Sequence, residues 1–399
     1  MRIAIAGNFG LAGKQTMAVR ALPLAEALVA RGHQVCLILP IREPGDGGGP
    51  SSVNGVAIRH AGRGPRLAGL SHLWQLLLMA WHCLRCRPNV LYGFKPMAYS
   101  GALLLFFWWL RRLHLFHGIL ALDTDDWEGE GGWNDRQPFP GWVKRLVAAQ
   151  ELWSLRHAHL VSVASRTLEE MAASNGAGNV LYLPNALAPT SPGLRAAADS
   201  FGLKARLGLR EHPVVLVYTR FVEFQPSRLL DAFEVVARSA ENARLLVVGT
   251  GLNGEEADLR RLAADRGLAE KLLLAGWVPM ERLPDYFALA DVALYLMDDR
   301  LLNRAKCPMK LLDLLAAGAP VVADRVGQAA EYISDDETGL LVAPGDSSAM
   351  GAAAAALLAD PKRRQAMGRA ASADARARWK WERLAAEVEA ALNQVESRH

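Results

Sequence analysis

Short apolar runs alternate with helix-length amphipathic stretches from the first residues of the chain. Ile3 to Ala6 is followed by a helical pattern near 15 to 31 that sets Met17, Ala21, Leu24, Ala25 and Leu28 on one face and stops at Gly32. Val35 to Leu39 comes next, which makes a βαβ opening. Further strands are expected at Val90 to Tyr92, Leu115 to Leu122, Leu160 to Ala164 and Val180 to Leu183. Alternation of this kind predicts a parallel sheet covered by helices on both faces.

Residues 187 to 204 gather Pro, Ser and Gly without strand periodicity and read as a connector. A second series then begins, with strands expected at Val214 to Tyr218, Leu245 to Val248, Leu272 to Leu274, Val292 to Tyr295, Pro320 to Ala323 and Leu340 to Val342. Helices fall near 227 to 238, 254 to 266, 281 to 289 and 308 to 316, and the pattern from about 347 to 395 is helical throughout. The expected architecture is α/β: a doubly wound Rossmann-like domain over 1–190, a second over 205–375, and a terminal helix over 376–399 packing back toward the first domain. Paired domains of this type bind ligands in a cleft facing the carboxyl ends of their strands.

A length of 399 residues at 51% hydrophobic and 22% charged agrees with two domains rather than one core. The net charge of +4 is mild, and basic residues alternate with acidic ones, so no nucleic-acid partner is expected. Four cysteines, Cys36, Cys83, Cys86 and Cys307, are too few for a disulfide scaffold. Cys83 and Cys86 form one C-x-x-C, but no second pair or His spacing completes a zinc site, and buried or half-buried thiols are expected. MRIAIAG is too short for a signal-peptide core, and the run Ala102 to Leu110 falls short of the ~20 residues of a spanning helix. A cytoplasmic location follows as the expectation.

Candidate chemistry sits at strand ends. GNFGLAGKQT at 7 to 16 lies between a strand and a helix, where backbone N–H groups favour an anion. Its spacing fits neither a P-loop nor a dinucleotide fingerprint. It is read either as a structural turn or as a loop whose Gly10, Gly13 and Lys14 touch an anionic or hydroxylated ligand. In KCPMKLLDLLAAGAPVVA at 306 to 323, Lys310 and Asp313 fall i,i+3 on one helix face. The Lys suits a phosphate and the Asp suits sugar hydroxyls, the alternative being a surface ion pair. Arg220 directly follows the strand VVLVY, a place where a fixed cation can stabilise a diphosphate leaving group. Gly249 and Gly251 end the next strand and are read as leaving room for a ligand.

In the first half, LDTDDWEGEGGWND puts Asp123, Asp125 and Asp126 just past a strand end, followed by Trp127 and Trp133. Acids beside tryptophans suit sugar recognition, with Asp123 or Asp125 facing the acceptor; an acidic surface loop is the plain alternative, and no metal site is expected. His117 falls too early to share that role. Arg59, His60, Arg63, Arg66, Arg85 and Arg87 surround the leucine- and tryptophan-rich stretch LAGLSHLWQLLLMAWHCL, and FFWWLRR follows at 106 to 112. Such helices either cover a parallel sheet or lie on an anionic membrane surface, which would place the chain peripherally on the inner face of the membrane.

VVGTGLNGEEADLRRLAADRGLAEKLLLAGWVPMERLPDYFALADVALYL, KLLDLLAAGAPVVA, VGQAAEYI and TGLLVAPGD resemble the donor-binding half of the retaining glycosyltransferases of family 4, and SVASRTLEEM, LYLPNAL and the N-terminal Gly loop extend the likeness over nearly the whole chain. The resemblance implies the GT-B fold and metal-independent transfer of a sugar, with retention, from a nucleotide diphosphate sugar, without a further cofactor. The acceptor would be a glycan or a lipid-linked molecule of bacterial surface polysaccharide or glycolipid assembly. Of the family's two donor-lining Glu residues, Asp313 falls on the second and Ala305 on the first; of its Arg and Lys on the diphosphate, Arg220 is present while Gln225 and Pro226 stand where the Lys is expected. Lys306 and Lys310 would supply the missing charge, Asn303 would approach the sugar, and Gly327 and Glu331 match the glycine-rich donor loop and the position after it. A nucleotide-sugar epimerase of the same fold and a degenerate nucleotide-sugar binder are the rival readings.

Overall fold

The computed structural model describes residues 1–11, 16–42, 46, 51–65 and 69–398. The chain gathers into two units, one of residues 1–188, 305–307 and 380–399 and one of residues 189–304 and 308–379. The first is built on strands β1 (Arg2–Ala6), β2 (Gln34–Leu39), β3 (Ser52–Val53), β4 (Val56–His60), β5 (Val90–Phe94), β6 (Ile119–Thr124), β7 (Leu160–Val163) and β8 (Val180–Tyr182). They pair in the order β3-β4-β2-β1-β5-β6-β7-β8, all parallel except β3 with β4. The central strands bury residues on both faces, which is why they read as largely apolar runs, RIAIA, VLYGF and ILALDT, rather than as alternating apolar and polar positions.

The β3–β4 hairpin was not expected. Asn54 (φ 45°) and Gly55 (φ 83°) form its turn, the positive-φ pair that a two-residue hairpin requires. The strand expected from Leu115 begins only at Ile119. Residues 115 and 116 turn their N–H groups back onto the Leu110 carbonyl (2.8 and 3.3 Å) to close the preceding helix, leaving Leu115 70% exposed.

The second unit carries β9 (Val214–Tyr218), β10 (Arg244–Val248), β11 (Leu272–Gly276), β12 (Val292–Tyr295), β13 (Val321–Asp324) and β14 (Leu340–Val342), paired in parallel in the order β11-β10-β9-β12-β13-β14. Val215, Val217, Leu245, Val247 and Leu294 pack beneath Leu230, Phe233 and Val236 of the helix Pro226–Ser239 and Met350 of the helix Ser347–Ala359. Carboxylate caps start the late helices. Asp346 accepts from Ala349 N–H (2.8 Å), and Asp360 accepts from Arg363 N–H (3.0 Å) just before Pro361.

The stretch read as a connector is instead structured, and from residue 189 it belongs to the second unit: it holds a short turn at Pro192–Leu194 and the helix Ser200–Arg206, capped by Asp199. The last helix starts at Trp381 rather than 376 and belongs to the first unit. There Glu389 binds Arg31 and lies 3.0 Å from His33 Nε2.

In both sheets the strand order reverses at one place, between β1 and β5 in the first unit and between β9 and β12 in the second. The carboxyl ends of strands beside such a reversal are where open α/β sheets hold ligands.

Candidate functional site

In the second unit the strand beside the reversal, β9, ends at Tyr218 and turns sharply. Thr219 Oγ1 accepts from Phe221 N–H (2.8 Å), and Phe221 is held at φ 57°, a costly conformation for a bulky residue, with its ring buried near Phe224. That turn leaves Arg220 exposed and swings Glu223 inward. The helix Met309–Ala316, with Pro308 as its cap rather than inside its first turn, brings Lys310 to the same place. Lys310 Nζ lies 3.9 Å from Glu223 Oε1 and 5.9 Å from the centre of the Tyr218 ring. Tyr218, Arg220, Glu223 and Lys310 thus converge at one strand end. Glu223 and Tyr218 escaped the sequence reading, because neither stands in a motif.

Asp313 does not pair with Lys310. It is buried, and one carboxylate oxygen accepts the Gly193 N–H at 3.2 Å. Gly193 approaches so closely that a Cβ there would lie 2.3 Å from the Asp313 carbonyl oxygen. Burial pushes the Asp313 carboxyl up to about 7, with the Gly193 bond opposing it.

Several expected contacts are instead packing. A Cβ on Gly249 (φ 117°) would sit 1.9 Å from the Thr219 carbonyl, and one on Gly251 would meet Glu255 Oε2 at 2.1 Å. The room read into this loop is filled by the chain's own backbone and carboxylates, since Gly251 N–H also binds Glu256 (2.8 Å). Asn303 is fully buried and spends its amide on the carbonyls of Glu223 (2.7 Å) and Asp298 (2.8 Å), so it pins the Arg220 turn and does not face a sugar. Gly327 (φ 49°) lies against the Arg304 backbone, and Glu331 is half-buried on the short helix Ala329–Tyr332.

The first unit separates the expected acids. Asp123 is fully buried, gripped by Arg20 through two 2.7 Å bonds and by Ser162 Oγ at 2.5 Å. It therefore cannot face an acceptor: Arg20, also without exposure, occupies it and further binds Asn185 Oδ1 (3.0 Å) and the Leu183 carbonyl (2.8 Å). Asn185 in turn holds Cys307 (3.0 Å to Sγ, 2.8 Å to the carbonyl), tying residues 305–307 into this unit. Ala305 is buried there, its carbonyl taken by Ser165 Oγ at 2.8 Å.

Asp125 and Asp126 have a different partner. Lys95, just past β5, places Nζ at 3.1 Å from each and at 2.9 Å from Glu128. Burial would lower the Lys95 pKa, but Asp125, Glu128 and Asp126 together hold it well above its ordinary value. One cation among three carboxylates leaves an acidic, partly exposed cluster that can accept hydroxyl protons. Glu151, which receives the Glu128 N–H at 3.2 Å, is pushed up to about 8 by burial.

Trp127 is buried, with its Nε1 donating to the Glu130 carbonyl (2.9 Å), and is no stacking platform. Trp133 is half-buried beneath Lys306 Nζ at 5.0 Å. His117 is exposed and precedes β6, at the opposite end of the strand from Asp123. Gly10 packs on Asp46, where a Cβ would come within 1.8 Å of a carboxylate oxygen, while Gly13 and Lys14 lie outside the described residues. Among the described residues no group of three His, Cys, Asp or Glu side chains is arranged to hold a metal ion.

Two parallel-sheet α/β units with C-terminal helices define the GT-B class. Arabidopsis thaliana starch synthase IV, solved with ADP and acarbose, superposes with a TM-score of 0.75 at 12% identity over 100% of this chain and 99% of that one. Anabaena HepE, solved with UDP, gives 0.72 at 16% identity over 99% and 100%. Residues 15–186 match the family described as Glycosyl transferase 4-like domain, and residues 203–374 match Glycosyl transferases group 1. The chain belongs to the GT-B glycosyltransferases of the family 4-like kind. Among curated relatives, the GDP-mannose-dependent alpha-(1-6)-phosphatidylinositol monomannoside mannosyltransferase of Mycolicibacterium smegmatis is 35% identical over 45% of this chain and 47% of its own length. The 2-deoxystreptamine glucosyltransferase of Streptomyces kanamyceticus is 29% identical over 54% and 55%. The chain spans about half the length of the curated relatives it matches.

Proposed function

We propose that this chain is a retaining, metal-independent glycosyltransferase that moves a sugar from a nucleotide diphosphate sugar to a glycan or lipid-linked acceptor. The observation that carries the reading is that exposed Arg220 follows the carboxyl end of β9 directly and Lys310 reaches that same strand end, beside Tyr218 and Glu223, inside the stretch matching the group 1 family. Two cations there offset the charge that develops on a departing diphosphate, so they act most strongly as the glycosidic bond breaks. In the front-face route the leaving phosphate oxygen takes the proton of the attacking acceptor hydroxyl, which requires no protein base. Asp313 is the ribose-hydroxyl acceptor in this reading, and Asp125 and Asp126 orient the acceptor.

A lipid-linked acceptor is favoured by an apolar surface in the first unit. The helices Leu70–Arg85, Ala98–Arg112 and Gly141–His157 expose, among others, Trp74, Leu77 (57%), Trp81, Trp109 (55%) and Trp142 (64%). Arg85 sits over the Trp81 ring at 4.7 Å and Arg112 over Trp108 at 5.4 Å, a basic-aromatic border suited to anionic headgroups. Among the described residues no helix is long and apolar enough to cross a membrane, so the proposed contact is peripheral.

The test is thermal-shift titration of the chain with UDP-, GDP-, ADP- and TDP-linked sugars in EDTA, GDP-mannose first because that donor appears in the relatives' names. The reading expects stabilisation by one nucleotide class without metal, then an axial or equatorial product linkage matching that of the donor by NMR. Release of nucleotide with an altered sugar and no acceptor would favour an epimerase, and silence from every donor a degenerate binder.

A further inference from the structure

The C-x-x-C of the sequence finds a third thiol rather than a second pair. Cys36 lies on β2, where it pairs with Ala57 of β4 and where Ile38 two residues on pairs with Arg59. The helix Leu70–Arg85 packs on β2 and ends at Cys86, whose N–H is held by the carbonyls of His82 and Cys83 (both 3.1 Å). This helix end sets Cys86 on the same cavity wall as Cys36, while Cys83 is sealed inside. Cys36 and Cys86 line one surface cavity of about 460 Å³ together with Arg2, Arg59, Trp81, His82 and Arg85. Its charged residues are all basic.

We propose that Cys36 and Cys86 form a peroxide-reactive dithiol site, in which Cys86 is the attacking sulfur and Cys36 the resolving one. The Cys86 thiolate attacks a hydroperoxide oxygen; the O–O bond breaks, leaving sulfenic acid on Cys86 and releasing hydroxide or an alkoxide, which takes from solvent the proton that Cys86 had given up and leaves as water or an alcohol. The Cys36 thiol then attacks the Cys86 sulfur, an S–S bond forms, and the hydroxyl leaves with the Cys36 proton as a second water. Two thiols lose two electrons and the peroxide gains them.

The division of roles follows from surroundings. The neighbouring Cys36 thiol brings Cys86 down to about 7 despite its burial, with Arg59 assisting, whereas Cys36 keeps its proton and Cys83 is pushed up by burial. Thiolate character, partial exposure and a neighbouring resolving thiol are the three properties of a redox-sensitive cysteine. The disulfide would staple the end of an apolar surface helix to the sheet.

The experiment treats the full chain with hydrogen peroxide, blocks remaining thiols, and maps peptides by mass spectrometry. The proposal expects a Cys36–Cys86 cross-link that also forms in Cys83→Ser. In Cys36→Ala it expects Cys86 sulfenic acid trapped by dimedone. Iodoacetamide labelling of unoxidised protein at pH 7 should modify Cys86 roughly tenfold faster than an ordinary thiol of pKa ~8.5. A Cys83–Cys86 cross-link, or Cys86 labelling no faster than an ordinary thiol, would overturn it. Both wild-type readouts stand even where a variant fails to fold.

Discussion

Arg20 and Asp123 meet through two 2.7 Å hydrogen bonds in the interior of the first unit, neither side chain reaching solvent. A hundred residues apart in sequence, they form the centre of a chain running from Tyr92 through Ser162 to Asp123, Arg20, Asn185 and Cys307. Removing one partner leaves the other charge buried and unpaired. Arg20→Ala is therefore expected to cost roughly 3–5 kcal/mol in urea unfolding. A variant of unchanged stability that lost only turnover would return Asp123 to an acceptor-facing role.

Lys310→Ala and Arg220→Ala should each weaken donor binding about ten- to a hundredfold while leaving the melting temperature of the free protein nearly unchanged, since both groups sit at the surface of the cluster. Isothermal titration with the stabilising nucleotide sugar measures this. An unaltered dissociation constant for both would remove the diphosphate from this strand end.

Asp313 gives a pH signature. Its folded carboxyl is raised to about 7 from 3.8, so its stabilising contribution is present below the unfolded value and is lost as pH rises through about 7. Wild type should lose up to about 4 kcal/mol of stability from this group between pH 4 and 7 relative to Asp313→Asn. Parallel stability curves for the two proteins across that window would refute the buried, neutral-favouring environment.

Ala305 should not tolerate the carboxylate its position would carry by resemblance. The residue is buried, with its carbonyl tied to Ser165, so Ala305→Glu introduces an uncompensated charge into the first unit. Loss of roughly 3 kcal/mol or more in denaturation is expected, not a gain in transfer rate. A stable variant with faster turnover would mean the site can open around a Glu.

Flotation with vesicles rich in anionic lipid should carry wild type upward, and the double change Leu77→Glu with Trp109→Glu should leave it at the bottom, because both exposed residues then repel the surface. Wild type staying at the bottom would count against peripheral contact.

Periodicity alone determined most of the scaffold. Val214 to Tyr218 and Val292 to Tyr295 are strands at the residues read from the pattern, because a parallel strand buried on both faces has to be an apolar run, and the half-buried edge strand Leu340 to Val342 also falls where it was read. The Asn54-Gly55 turn was equally legible and was overlooked. Arg220 and Lys310 were legible as strand-end and helix-start cations.

What the tertiary structure decided is which polar residues are spoken for. Asp123 and Asp125 are two positions apart and look alike in sequence, yet Asp123 lies on β6 and is buried onto Arg20, whereas Asp125 lies just past the strand end, where the chain has left the strand and the side chain meets buried Lys95. Cys36 and Cys86 stand fifty residues apart and line one cavity only because a helix packs across β2. Local pattern records burial and period; the partner of a buried charge or thiol is set by chain segments that no local pattern connects.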